Sequence, residues 1–220
     1  MNQITVLLID DHSLILEGYK NILLNDQIIN YKIDTALNCQ EAYQKLNSAK
    51  KGYFFYDVVC VDMNLPAFEE EELYSGEDLG ILIRNWFPDS KLVVLTMHTD
   101  NFRIYNILKN LKPDTFLLKG DISPQEFELA LRKTTKGEIY YSHSINSMMR
   151  LTLSNDFVLD KIDRTILYYL SKGIKTRRLS EFIPLSLAGI EKRKRVMKEI
   201  FDVEGGDYVL IEHAKKHGFL

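Results

Sequence analysis

Five polar residues stand where their side chains could act together. Asp10 and Asp11 follow the apolar run Ile4–Ile9, Asp62 follows Val58–Val61, Thr96 follows Leu92–Leu95, and Lys119 follows Thr115–Leu118. If each run is a strand of one open parallel sheet, all five project from the same carboxyl edge, where such sheets hold ligands near the reversal of strand order. Three converging carboxylates repel one another, and a hard divalent cation such as Mg²⁺, which prefers oxygen ligands, offsets that repulsion. A lysine and a hydroxyl beside a metal-bound carboxylate suit phosphoryl transfer. The cation and the ammonium offset charge on the phosphoryl oxygens, Thr96 donates a hydrogen bond, and one carboxylate attacks.

The elements needed to position these groups are visible in the pattern. From residue 4 to about 136, short apolar runs alternate with amphipathic segments of helical period, which predicts a parallel sheet with helices on both faces. Five strands are expected: Ile4–Ile9, Tyr31–Ala36, Val58–Val61, Leu92–Leu95 and Thr115–Leu118. The third and fourth are continuous apolar runs, as central strands covered on both sides should be. Helices begin near Ser13, Gln40, Glu77, Asp100 and Pro124, with Ser13 and Asp100 as N-caps and Pro124 in the first turn. Pro88 and Pro113 mark two helix ends, because the proline ring removes a donor and clashes with the preceding turn.

Residues 137–157, with Gly137, paired tyrosines and several serines, read as a linker with room for a short helix at Ile145 to Leu153. Four helical patterns follow: Asp160 to Ser171, Thr176 to Ile183, Ser186 to Phe201, and Asp207 to His217. The chain of 220 residues therefore divides into domains at 1–136 and 158–220. Charge divides the same way. Residues 151–220 hold 13 Lys/Arg against 10 Asp/Glu, whereas residues 1–150 hold 15 against 21, so the overall −3 joins an acidic front to a basic back that could meet a polyanion. No apolar run is long enough to span a bilayer and the start lacks a basic flank, so a cytoplasmic protein without membrane contact is expected. Cys39 and Cys60 lie in apolar surroundings and read as buried, reduced thiols.

The segments Leu8-Ile9-Asp10-Asp11-His12, Val61-Asp62-Met63-Asn64-Leu65-Pro66, Val94-Leu95-Thr96 and Phe116-Leu117-Leu118-Lys119 resemble, in order and spacing, the receiver domain of two-component response regulators. The resemblance implies a flavodoxin-like, five-stranded doubly wound α/β domain. It implies that Asp62 is the phosphoacceptor, that Asp10, Asp11 and Asp62 bind Mg²⁺ with the backbone carbonyl of Asn64, and that Lys119 and Thr96 hold the phosphoryl group. It also implies that Phe116 is an aromatic switch that changes rotamer when Thr96 moves. Two features depart from the family. Met97 replaces the usual small residue after Thr96 and is expected to narrow access and slow phosphorylation by small donors. The loop Ala67–Ser75 is longer than usual and carries four successive glutamates, Glu69–Glu72, a charge block that reads as a solvated, mobile loop.

Residues 159–201 resemble the helix-turn-helix of NarL/LuxR-type regulators, carried by Ile166-Leu167, Leu170, Gly173, Leu179, Leu185-Ser186, Ile190 and Ile200. In such motifs the second helix enters the major groove. Ile190, Met197, Ile200 and Phe201 define its buried face, leaving Glu191, Lys192, Lys194, Arg195 and Lys198 outward, while Lys175, Arg177 and Arg178 are placed to reach phosphates. The family's usual Thr-Val-Lys-x-His stretch reads Gly189-Ile190-Glu191-Lys192-Arg193, so Glu191 stands where a base-contacting lysine would be and could accept from a cytosine amino group. The last helix, with Tyr208, Ile211 and Glu212, would be the dimerisation element.

The resemblance thus implies a switch rather than an enzyme: a response regulator phosphorylated by a sensor histidine kinase, pairing as a homodimer and binding promoter DNA. Other readings share features. A receiver whose bundle has lost DNA recognition, as Gly189 and Glu191 allow, would be a protein-binding adaptor, and a pocket closed by Met97 and the acidic loop would make a phosphorylation-independent regulator with a diverged helix-turn-helix. An aspartyl-phosphate phosphatase shares the sheet chemistry, but needs an acid–base Asp two residues after the nucleophile, where Asn64 stands.

Overall fold

The computed structural model describes residues 3–153 and 159–220, and the side chains of all of these except 151–153. The expected linker residues 154–157 and the first residue of the expected second domain, 158, lie outside the described residues. In the first part, strands β1 (Ile4–Ile9), β2 (Tyr31–Ala36), β3 (Val58–Asp62), β4 (Lys91–Thr96) and β5 (Thr115–Leu118) alternate with helices α1 (Ser13–Leu24), α2 (Cys39–Lys51), α3 (Gly76–Trp86), α4 (Asn101–Leu111) and α5 (Pro124–Thr135).

The sheet has one strand more than expected. Tyr140–Tyr141 forms β6, pairing in parallel with β5 through Thr115↔Tyr140 and Phe116↔Tyr141. The order is β2-β1-β3-β4-β5-β6. A two-residue strand has no period to read, and only the exposed edge of β5 recruits it, which is why residues 137–157 read as a linker. Strand order reverses between β1 and β3, whose register Ile9↔Val61 sets Asp10 beside Asp62.

All five residues of β3 are buried, as a central strand covered on both faces requires. On one face Val6, Leu8, Cys60, Val93, Leu95 and Leu117 meet Leu16, Leu23, Phe127 and Leu131 of α1 and α5. There Tyr19 stacks on Phe127 with ring centroids 4.1 Å apart. Cys39 and Cys60 are free and buried, as expected, and burial pushes the Cys39 thiol up to about 11.

Helix boundaries follow local chemistry. Ser75 caps α3 by accepting from the Asp78 N–H, and Ser123 caps α5 ahead of Pro124. Asp100 accepts from the Arg103 N–H at 2.9 Å, as a cap should. Ser13 is the first residue of α1 rather than its cap; His12 holds that position without a side-chain hydrogen bond.

Beyond the sheet come α6 (His143–Leu153), α7 (Lys161–Ser171), α8 (Leu187–Phe201) and α9 (Asp207–Lys216). The expected helix Thr176 to Ile183 is a shorter 3-10 turn, Thr176–Glu181, ended before Pro184, which disfavours helical geometry in the residue preceding it. Leu159, Ile166, Leu170, Leu179, Ile190, Met197, Leu210 and Phe219 form the core of this part. A capping box joins Asp160 and Asp163 at the start of α7, and Ser186 caps α8. The chain divides into two compact units, one running to His98 and again from Ile107 to Ile145, the other comprising Thr99–Asn106 and Asn146–Leu220. The first unit therefore takes in the start of the expected linker. Among the described residues, no helix is long and apolar enough to cross a membrane.

Candidate functional site

The carboxyl ends of four strands meet as the sequence implies. Asp10 and Thr96 are fully buried and Asp62 nearly so, while Asp11 stays exposed. Lys119, its side chain only 6% exposed, lies between the two buried carboxylates, with Nζ 2.6 Å from Asp10 Oδ2 and 3.1 Å from Asp62 Oδ2. Its backbone N–H donates to the Thr96 carbonyl at 2.8 Å, which ties the ends of β4 and β5 together. Burial pushes the Asp62 carboxyl above the ordinary carboxylate range; Lys119 opposes this, and Asp10 and Asp11 add to it.

The backbone N–H of His12 donates to Asp10 Oδ1 at 3.0 Å, and His12 Nδ1 lies 2.6 Å from Asp11 Oδ1. Ligand atoms of Asp10, Asp11 and His12 lie within 4.8 Å of one another, close enough to share a cation. Asp62 Oδ1 is buried with no hydrogen-bond partner among the described residues. A buried carboxylate oxygen left unmatched beside two more carboxylates is a donor set that fits a hard, oxygen-seeking ion.

Thr96 Oγ1 accepts from the His98 N–H at 3.0 Å, leaving its hydroxyl proton to donate elsewhere. Phe116 is wholly buried in β5, opposite Val94. Asn64 is exposed two residues after Asp62. Met97 is 61% exposed and lines a groove of about 350 Å³ with Ile15, Tyr19, Pro124, Phe127 and Lys119.

The acidic loop is folded. Phe68 and Leu73 exchange backbone hydrogen bonds of 2.7 and 3.1 Å around a 3-10 turn at Glu69–Glu71, and Glu72 takes a left-handed φ of 56° to close it. Leu73 is buried and the Phe68 ring packs 5.7 Å from Tyr43, so two apolar anchors overcome the repulsion that predicts mobility. All four glutamates stay exposed.

Gly76 was not legible as a site residue. Its N–H donates to the Met63 carbonyl and its Cα abuts the backbone of Asp62. The only sequence signal was the Ser75-Gly76 pair before an apolar helical run, displaced by the long loop.

In the second unit, Lys175, Arg177, Glu191, Lys192 and Arg195 are exposed, and Arg178 is exposed while paired with Glu181 at 2.9 Å. Lys194 is a correction to the expected outward face. It is buried, with Nζ 2.7 Å from both Asp207 Oδ1 and Thr176 Oγ1, so it joins α8 to α9. Helical spacing aligned Lys194 with the outer row, but Asp207, thirteen residues on, draws it inward. Lys198 is half-buried and donates to the Gly205 carbonyl at 2.6 Å. Arg193 pairs with Asp160 and Asp163, both at 2.8 Å.

Residues 6–132 match the family described as the response regulator receiver domain. The chain belongs to that family. Among curated relatives, the response regulator is 26% identical to the oxygen regulatory protein NreC of Staphylococcus haemolyticus, over 98% of each chain. It is 27% identical to NreC of Staphylococcus aureus strain JH9, over 86% of this chain and 87% of the relative. Solved structures of similar fold include RcsB as two dimers bound to two parallel DNAs, with a TM-score of 0.64 and 20% identity over 98% of this chain and 99% of that one. RcsB from Salmonella enterica serovar Typhimurium, bound to promoter P1flhDC with phosphomimetic BeF3-, has a TM-score of 0.63 at 20% identity and the same coverage. The protein is a response regulator whose receiver is followed by a small helical domain.

Proposed function

We propose that Asp62 accepts a phosphoryl group from a sensor histidine kinase and that the modified receiver controls binding of promoter DNA by the helical domain as a homodimer, regulating transcription. The observation that carries the reading is Lys119 held between Asp10 and Asp62 while Asp62 Oδ1 is buried and unmatched among the described residues. Asp62 Oδ1 attacks phosphorus, the bond from phosphorus to the donor breaks, and the donor leaves with that electron pair, so an acyl phosphate remains on Asp62. Lys119 offsets charge on the transferred group, Thr96 donates its hydroxyl proton to a phosphoryl oxygen, and Phe116 responds to the movement of Thr96. Asp10, Asp11, Asp62 and the Asn64 carbonyl would hold Mg²⁺, which supplies offsetting positive charge when bound.

In the helical domain, Lys175, Arg177 and Arg178 meet phosphates, while Glu191, Lys192 and Arg195 face the groove. The domains are read as a receiver over residues 1–136 and a DNA-binding domain from 158 onward. The likeness to the oxygen regulatory protein NreC and to RcsB structures solved on DNA supports the reading.

Intact mass after incubation with Mg²⁺ and acetyl phosphate tests the chemistry. An added group of roughly 80 Da, absent from Asp62→Asn, is expected. Absence of an adduct from acetyl phosphate and from a panel of kinases overturns it. Binding of the modified form to duplex DNA should weaken steeply with salt, whereas a protein-binding adaptor shows no such slope.

A further inference from the structure

The turn that carries Lys119 is clamped by the residues that follow the sheet. Ser142 is fully buried; its N–H donates to the Phe116 carbonyl at 3.0 Å and its Oγ accepts from the Leu118 N–H at 3.1 Å. Ser142 thus continues the β5–β6 ladder one residue past Tyr141, with a hydroxyl serving as the acceptor a backbone carbonyl would supply. On the other side of the lysine, the Asp121 N–H donates to the Leu118 carbonyl at 2.9 Å, which closes the turn. The Asp121 carboxylate then reaches the start of α6, accepting from the Ser144 N–H at 2.8 Å and the Ser144 hydroxyl at 2.9 Å.

Residues 116–121 and 142–144 are therefore joined by four hydrogen bonds, one donated to a buried hydroxyl and two accepted by a carboxylate. Lys119 is the one residue of that turn whose side chain enters the acidic pocket, and its own N–H is held from the opposite side by the Thr96 carbonyl. A lysine with four rotatable bonds offsets charge well only if its backbone is fixed, since transition-state stabilisation depends on prior placement.

We infer that Ser142, Asp121 and Ser144 are positioning residues for Lys119, so that the strand and helix start following α5 set the rate at which Asp62 gains its phosphoryl group. The inference rests on the phosphorylation reading above and deepens it.

The rate of adduct formation from acetyl phosphate, followed by intact mass in the full chain with saturating Mg²⁺, tests it. Ser142→Ala is expected to slow phosphorylation by about three- to ten-fold, the worth of one lost hydrogen bond, and Ser142→Thr, which keeps the hydroxyl, to restore it. Asp121→Asn, which weakens rather than removes the α6 contact, is expected to slow it less. In a Lys119→Ala background, Ser142→Ala should change the remaining rate no further, an outcome that general loosening of the sheet would not produce. Equal rates in native protein and Ser142→Ala overturn the inference, as does an undiminished Ser142→Ala effect without Lys119. No adduct on the native chain overturns the phosphorylation reading itself, and this inference with it.

Discussion

A Cβ atom placed on Gly76 falls 1.8 Å from the carbonyl oxygen of Asp62 and 2.8 Å from its carbonyl carbon. No side chain fits there, and the obstacle is backbone, which cannot swing aside as a flexible side chain can. The Gly76 N–H donates to the Met63 carbonyl at 3.2 Å, so the start of α3 lies directly against the residue read as the phosphoacceptor. Gly76→Ala is therefore expected to cost about 3 kcal/mol or slightly more, at the upper end of overpacking penalties, and to slow phosphorylation of Asp62. Urea unfolding and the acetyl phosphate rate, measured on the same preparation, check both effects; an unchanged midpoint contradicts the close approach.

The acidic loop is anchored by Leu73 and Phe68, with Glu71 accepting from the Tyr43 hydroxyl, while Glu69 and Glu70 stay exposed. Leu73→Ala should lower stability by about 2–4 kcal/mol, as truncation of a buried leucine does. Replacing Glu69 or Glu70 by glutamine should shift stability by less than about 0.5 kcal/mol, as at other exposed sites. Thermal and urea melts of the three variants separate a folded loop from a mobile one.

Asp114 ties the start of β4 to the end of α3. Its carboxylate accepts from the Leu92 N–H and from Arg84 and Lys91. Burial raises its carboxyl, but these donors outweigh burial and hold it below the ordinary range. A carboxyl lowered by folding contributes stability that is complete above its unfolded value, near 4, and is lost as pH falls through the lower folded value. Asp114→Asn should cost about 1–3 kcal/mol at pH 7, with the difference from native protein shrinking below about pH 4. Urea midpoints across pH 3–7 provide the check; a gap that widens in acid contradicts the assignment.

The two cations Lys194 and Arg195 are adjacent in sequence and opposite in role. Lys194→Ala removes the cation paired with the Asp207 carboxylate, which is partly exposed and keeps its bond from the Thr176 hydroxyl, and should destabilise the helical domain by about 1–3 kcal/mol. Arg195 is exposed, and Arg195→Ala should leave stability unchanged while lowering the salt slope of DNA binding by about one. Melting curves and salt-titrated binding to duplex DNA distinguish them.

Met97 borders the groove that leads to Lys119. Met97→Ala is expected to speed phosphorylation by acetyl phosphate several-fold without changing its dependence on Lys119. Equal rates would show that the thioether does not limit access.

The alternation of apolar runs with amphipathic segments contained the doubly wound sheet, and the polar residue after each run contained the pocket, because strand ends in a parallel sheet share one edge by geometry. Asp10, Asp62, Thr96 and Lys119 needed nothing more than their spacing to be assembled. The inward turn of Lys194 was not readable, since it depends on Asp207 arriving from another helix. Nor was the fold of the acidic loop, where Leu73 and Phe68 are two scattered apolar residues among charges until Tyr43 packs beside one of them. Strand β6 and the buried Ser142 hydroxyl exist only because β5 presents an open edge. Sequence by itself determined everything governed by local period and by the shared edge of the strands. The tertiary structure alone decided which charges are paired, which loop is anchored and what holds the lysine, because each of those depends on a partner brought near by folding rather than by spacing.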